Sequence, residues 1–225
     1  GHRLMRLFIF DVDGTLVDSQ ASIVGSMQDA FRNSGLPIPE AATILSGVGL
    51  SVETLMARLA PDQDARLLSD AYRTAFVARR ERDGATAMAP FYPGMRALID
   101  RLAAEPETLL GVATGKSRRG LVSLIDGYDL RRHFVTSQTA DENHSKPHPG
   151  MIEAALAEAG CEPEQAVMIG DTSFDMEMAR AAGVTPIGVS WGYHAPHELD
   201  GLAKAVARDA EDLGRILDTF GLETA

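Results

Sequence analysis

The chain is poor in several things that define whole classes of protein. One cysteine in 225 residues, Cys161, excludes an intramolecular disulfide and fits a reducing compartment, so a cytoplasmic location is expected. Cys161 lies at a helix end with no base beside it and reads as an inert thiol. No apolar run is long enough to span a membrane, and no signal peptide is expected. Gly1-His2 reads as an expression-tag remnant, with the natural start at Met5 or just before it. Internal repeats and low-complexity tracts are absent. Basic charge is also short, at 21 lysines and arginines against 32 acids, for a net −11. Arg79, Arg80 and Arg82 lie among acids in a helical stretch and read as a solvated face, so nucleic acid is not expected as a partner. Lys116, Lys146 and Lys204 are the only lysines. An acidic chain that handles an anionic substrate must therefore concentrate positive charge locally.

What is present is ordinary globular composition, 45% hydrophobic and 24% charged. Apolar, strand-like runs recur at Leu7–Phe10, Leu109–Ala113, Phe134–Thr136, Ala166–Ile169, Pro186–Val189 and, more weakly, Ala205–Ala207. After Pro93 they alternate with helical patterns at Met95–Ala103, Met151–Ala159, Phe174–Ala182 and Ala210–Phe220. This predicts an α/β fold, a Rossmann-like parallel sheet with helices on both faces and ligands at the carboxyl edge. Between the first two strands the pattern breaks into about seventy residues of helical periodicity, with blocks at Ser19–Asn33, Ser51–Leu59 and Asp64–Arg82. A crossover needs only one helix. Residues 18–88 are therefore expected to form an inserted helical subdomain on a core of 5–17 and 89–225.

Polar residues stand at four expected strand ends and loops. Asp11 and Asp13 follow the first strand two positions apart, so both point the same way, and Gly14-Thr15 is expected to turn with exposed N–H groups. Thr114-Gly115-Lys116 follows the second strand, Ser145-Lys146-Pro147-His148-Pro149 precedes Met151, and Gly170-Asp171 closes the fourth strand with Asp175 one helical turn on. Two carboxylates at a buried strand end suit a Mg²⁺ and nucleophile site better than a structural one.

The ordered set Asp-x-Asp-Gly-Thr at 11–15, Thr114, Lys146 and Gly-Asp-x-x-x-Asp at 170–175 resembles the four motifs of the haloacid dehalogenase superfamily. It is closest to its phosphoglycolate phosphatase-like branch with a helical, C1-type cap, and the resemblance covers essentially the whole chain. The resemblance implies that Asp11 is the nucleophile, forming an aspartyl-phosphate, and that Asp13 is the general acid and base. It implies Mg²⁺ held by the Asp11 carboxylate, the Asp13 backbone carbonyl and the Asp171 carboxylate, with Asp175 behind them orienting a water on the metal. Thr114 and Gly115 would bind the phosphoryl oxygens, and Lys146 would hold both the phosphate and Asp11. Dehalogenases of the superfamily lack the second acid, so Asp13 points to a phosphoester.

The implied activity is Mg²⁺-dependent hydrolysis of a small phosphorylated metabolite. A phosphosugar mutase similar to β-phosphoglucomutase and an inorganic pyrophosphatase use the same core residues, and a non-catalytic module conflicts with four intact motifs. The stretch Ser46-Gly-Val-Gly-Leu-Ser51 lies where such caps present a loop to the site, and the Ser51 helix start is a candidate anion receiver. Asp18-Ser19 is expected to cap the first cap helix. Lys116 and Arg118 are candidates for a second substrate anion or for solvent exposure, His148 for a helix cap, and Trp191-Gly-Tyr-His194 for a pocket wall or loop packing. Met168, Met176 and Met178 read as core. Monomer and homodimer are both compatible with the sequence.

Overall fold

The computed structural model describes residues 5–222, so Gly1-His2 lies outside the described residues. Six parallel strands, β1 (Arg6–Phe10), β2 (Thr108–Thr114), β3 (Phe134–Thr139), β4 (Ala166–Gly170), β5 (Thr185–Val189) and β6 (Ala205–Ala207), lie in the order β3-β2-β1-β4-β5-β6. Ile9 is in register with Gly111 on one side and Met168 on the other. The chain therefore leaves β1 in both directions across the sheet. That reversal opens a crevice outside the carboxyl ends of β1, β2 and β4, where open parallel sheets bind ligands.

The apolar run of β1 is continuous because both faces are covered, and its alternation sorts side chains between two cores. Phe8 and Phe10 pack with Leu98, Ile99 and Leu102 of α5 (Met95–Ala104) and Leu213 and Leu217 of α10 (Ala210–Thr219). Leu7 and Ile9 face the other way, onto Met151, Ile152 and Ala155 of α7 (Gly150–Ala159) and Met178 and Ala179 of α8 (Ser173–Ala182). Met168, Met176 and Met178 are fully buried. Helix α6 (Arg118–Gly127) and the single turn α9 (Pro196–Leu199) complete the layers.

Between β1 and α5 lie α1 (Gln20–Asn33), α2 (Ala41–Ser46), α3 (Val52–Leu59) and α4 (Ala65–Asp83). Ile23, Met27, Phe31, Ile44, Leu55, Met56 and Leu68 give these helices a separate apolar cluster. Ser51 caps α3 by accepting from the Thr54 N–H at 3.2 Å, and Asp64 caps α4 by accepting from Arg66 at 2.9 Å. The chain enters and leaves this group through adjacent segments. Val17 bridges Phe91, the Asp18 N–H donates to the Pro90 carbonyl at 2.8 Å, and the Tyr92 N–H to that of Leu16 at 3.0 Å.

Candidate active site

Three strand ends and one loop bring the site together. Asp11 follows β1, Thr114 ends β2, Asp171 follows β4, and Lys146 arrives on the loop before α7, where the Lys146-Pro147 peptide is cis. Lys146 is fully buried between two carboxylates. Its Nζ stands 2.9 Å from Asp11 Oδ1 and 2.7 Å from Asp175 Oδ1, with no exposed side-chain surface. Burial alone would lower its pKa, but the two carboxylates outweigh that and hold it charged.

Each acid has its own anchoring. Asp11 Oδ1 also accepts the Val12 N–H at 2.8 Å, whereas Oδ2 is buried with no hydrogen-bond partner. Asp171 accepts from the Thr15 hydroxyl at 3.0 Å and the Tyr193 N–H at 2.8 Å. Asp175, in the first turn of α8, accepts on Oδ2 from the Thr172 N–H at 3.2 Å and hydroxyl at 2.9 Å, closing a capping box. Asp13 accepts from the Ser19 hydroxyl in a very short contact and from Lys116 Nζ at 3.4 Å.

Oxygens of Asp11, Asp171 and Asp175 lie within 4.8 Å of one another. Three carboxylates around one ammonium leave negative charge uncompensated. Burial and then Asp175 push the Asp11 carboxyl well above the usual range, and the same causes in the same order raise Asp171 to about 6. Hard oxygen donors, excess negative charge and the orphaned Asp11 Oδ2 together suit a divalent cation of the Mg²⁺ kind. The residues therefore fit a divalent cation.

Above the acids is a cavity of about 530 Å³, with Asp11, Asp13, Thr114, Gly115 and Lys116 on its floor and residues of α1, α3, α4 and the Val48–Ser51 loop opposite. A Cβ on Gly115 would stand 2.5 Å from the Leu50 carbonyl and 2.6 Å from that of Gly49, so this loop closes directly over the β2 end.

Several expectations meet different surroundings. The Gly14 and Thr15 N–H groups are not left open, since they donate to the Val17 and Val12 carbonyls at 2.9 and 3.2 Å. The Ser51 N–H donates to Ser145 Oγ at 2.9 Å, so a protein group already occupies the expected anion receiver. Ser19 does not cap α1 with its hydroxyl, which turns to Asp13. Lys116 turns inward to Asp13, whereas Arg118 is taken up by Glu142 at 2.9 Å and Ser137 at 2.7 Å. Arg80 is half-buried on the cavity wall rather than solvated. His148 accepts the Gly150 N–H at 3.0 Å at the start of α7.

The Trp191–His194 loop is a strut rather than a cavity wall. Trp191 Nε1 donates to the Thr15 carbonyl at 3.0 Å, Tyr193 Oη accepts the Ser19 N–H at 3.0 Å, and His194 is 2.8 Å from the Ser46 carbonyl. Ser19, Thr15 and Tyr193 were read in the sequence as a helix cap, a turn residue and part of a loop, and the contacts that tie them to Asp13 and Asp171 were not foreseen.

The family model for haloacid dehalogenase-like hydrolases matches residues 8–189. A probable phosphatase of Dickeya dadantii is 32% identical, over 95% of this chain and 90% of its own length. A phosphoglycolate phosphatase of Rhodospirillum rubrum is 33% identical, over 92% and 88%. The solved structure of a haloacid dehalogenase-like family hydrolase from Streptococcus pneumoniae superposes with a TM-score of 0.82 at 26% identity, covering 95% of this chain and 98% of that one.

Proposed function

The chain belongs to the haloacid dehalogenase-like hydrolases and is a phosphatase of that family, and from that premise we propose a Mg²⁺-dependent phosphomonoesterase working through a phosphorylated Asp11. The observation that carries the reading is the state of Asp11. One oxygen is held by Lys146 and the Val12 N–H, the other is buried and unpartnered, and the residue lines the cavity.

In this reading the Asp11 carboxylate attacks phosphorus while the bond to the leaving oxygen breaks, and Asp13 gives that oxygen its proton. Water then attacks the phosphorylated Asp11, Asp13 takes its proton back, and inorganic phosphate leaves with Asp11 restored. Ser19 and Lys116 hold the Asp13 carboxyl at the floor for both transfers. Lys146 keeps Asp11 in place and works against the burial that raises its pKa, and Thr114 with Gly115 receives phosphoryl oxygens. The Asp11 and Asp171 carboxylates and the Asp13 carbonyl would hold Mg²⁺, which when bound offsets charge on the transferring phosphoryl group. Both Asp175 oxygens are engaged, by Lys146 and Thr172, which supports a place behind the ligands. Residues 18–88 act as the cap over a core of 5–17 and 89–225.

Phosphate release from a panel of phosphorylated metabolites with Mg²⁺ tests the reading. Asp11→Asn should reduce turnover by about a thousandfold or more. Undiminished turnover would remove Asp11 from its role. Product analysis with a sugar bisphosphate and with pyrophosphate separates the mutase and pyrophosphatase alternatives.

A further inference from the structure

The cavity above Asp11 is built for a larger and less polar leaving group than glycolate or a sugar. Its volume, about 530 Å³, falls inside the range of roughly 300–1,000 Å³ typical of sites for drug-sized ligands. Glycolate brings two carbons, and such an alcohol would leave most of that space to water. The wall facing the acids is apolar and partly aromatic, with Ile23 and Met27 from α1, Val48 from the loop, and Tyr72, Phe76 and Val77 from α4. Tyr72 and Phe76 lie one helical turn apart with ring centroids 5.9 Å apart. Sugar hydroxyls seated there would lose hydration without recovering it. A ring or other apolar body would be matched.

Charge on the same wall is the second observation. Outside Asp11 and Asp13 the cavity carries Arg73, Arg80, Lys116 and Arg119 against Glu53 and Asp141, in a chain whose net charge is −11. Arg73 is paired with Asp70 and Lys116 is committed to Asp13, with its Nζ 5.2 Å from the Phe76 ring centroid. Arg80 is half-buried on α4, one turn beyond Phe76, and among the described residues its guanidinium has no hydrogen-bond or ion-pair partner. A half-buried guanidinium without an anion, next to an aromatic wall, matches a ligand that supplies the anion.

We propose that the physiological substrate class is a phosphate monoester of an alcohol with an apolar, ring-sized body and a second anionic group, the body seated on Tyr72 and Phe76 and the anion received by Arg80. The proposal rests on the phosphomonoesterase reading above. Four alkyl phosphates avoid the bias of an activated phenolate leaving group: 4-carboxybenzyl phosphate, benzyl phosphate, phosphoglycolate and glucose 6-phosphate. The probe is phosphate release by the full chain with Mg²⁺, reported as kcat and KM.

A single methylene in an apolar pocket is worth about tenfold in discrimination or more, so benzyl phosphate should exceed phosphoglycolate and glucose 6-phosphate by at least about tenfold in kcat/KM. The carboxybenzyl ester should exceed benzyl phosphate, with the gain in KM. Phe76→Ala should collapse the benzyl-to-glycolate ratio. Arg80→Gln should collapse the carboxybenzyl-to-benzyl ratio and leave the benzyl-to-glycolate ratio standing, a split that general misfolding would not produce. Robust release with phosphoglycolate or glucose 6-phosphate equal to or better than the benzyl esters overturns the substrate class alone. So do unchanged ratios in both variants. Release from none of the four, in wild type as in Asp11→Asn, overturns the phosphomonoesterase reading and this inference with it.

Discussion

Lys146→Met isolates the electrostatics of the site from its packing. Methionine keeps most of the buried stem and removes only the ammonium, which sits 2.9 Å from Asp11 and 2.7 Å from Asp175. Breaking a buried pair by deleting one partner costs roughly 3–5 kcal/mol, because the other charge stays buried and uncompensated. At about 2–4 °C per kcal/mol for a chain of this size, Tm should fall by roughly 6–20 °C without metal. The cost should depend on pH. Burial and Asp175 already lift the Asp11 carboxyl, and losing Lys146 lifts it further. A carboxyl whose folded pKa is raised contributes stability that is complete below the unfolded value and is lost as pH rises through the folded one. The gap between wild type and variant should therefore be small near pH 4 and widen toward pH 8. Saturating Mg²⁺ should narrow it again at pH 8 by replacing the missing positive charge. Thermal denaturation at several pH values, with and without Mg²⁺, measures all three. A loss under about 1 kcal/mol at pH 8 without metal, or one that ignores pH, would refute the reasoning.

In metal-free wild type, Asp171 is raised from 3.8 to about 6, so its contribution should decline as pH rises across that interval. The Tm increment from Mg²⁺ should correspondingly grow up to about pH 6 and then level off; an increment equal at pH 4 and pH 7 would contradict this. Gly115→Ala would set a Cβ 2.5 Å from the Leu50 carbonyl, forcing the loop off the β2 end, so kcat should fall with little loss of overall stability. Activity equal to wild type would show that the loop is not needed in this position. Tyr193→Phe leaves the Ser19 N–H without its acceptor and should cost about 1–2 kcal/mol in chemical denaturation, with a drop in kcat because Ser19 also holds Asp13. Unchanged midpoint and kcat would rule out the strut.

The sheet was legible because its central strands β1, β2 and β4 are buried on both faces and read as continuous apolar runs, and the observed ends differ from the expected ones by a few residues at most. Helix α6 escaped because it opens on Arg118-Arg119-Gly120 and buries only Leu121 and Leu124, too few positions to display a helical period. The six-residue α2 contributes one buried side chain, Ile44, to its cluster. Asp11, Thr114 and Asp171 converge because strand ends are fixed by sheet register, which motif order encodes, and Asp175 follows Asp171 by one helical turn. Lys146, on its loop, was found through the motif resemblance; the other contacts that depend on a loop path were not legible. Ser19 was expected to cap a helix, as its residue type favours, but the tertiary fold offered its hydroxyl the Asp13 carboxyl. Arg80 reads as solvent-facing among its neighbours until α4 is laid over the sheet edge.

The loop after β5 shows why such positions matter to the chemistry. Gly192 passes so close to Asp171 that any Cβ there would overlap the carboxylate, and the next N–H, from Tyr193, donates to that carboxylate at 2.8 Å. Tyr193 and the next residue, His194, continue into contacts with Ser19 before α1, Ser173 at the start of α8 and Ser46 at the end of α2. Tyr193 Oη accepts the Ser19 N–H, and His194, buried, accepts the Ser173 N–H at 3.1 Å on Nδ1. A ring nitrogen that accepts leaves the other to donate, which fits Nε2 at 2.8 Å from the Ser46 carbonyl and sets the neutral tautomer. The Trp191–His194 loop thus ties the Asp171 carboxylate, the start of α8 and the end of α2 into one hydrogen-bonded unit. Displacing the helices over the cavity would strain the His194 and Tyr193 contacts. Tyr193 touches both Ser19 and Asp171, so the position of α1 and the geometry of the acids are mechanically linked.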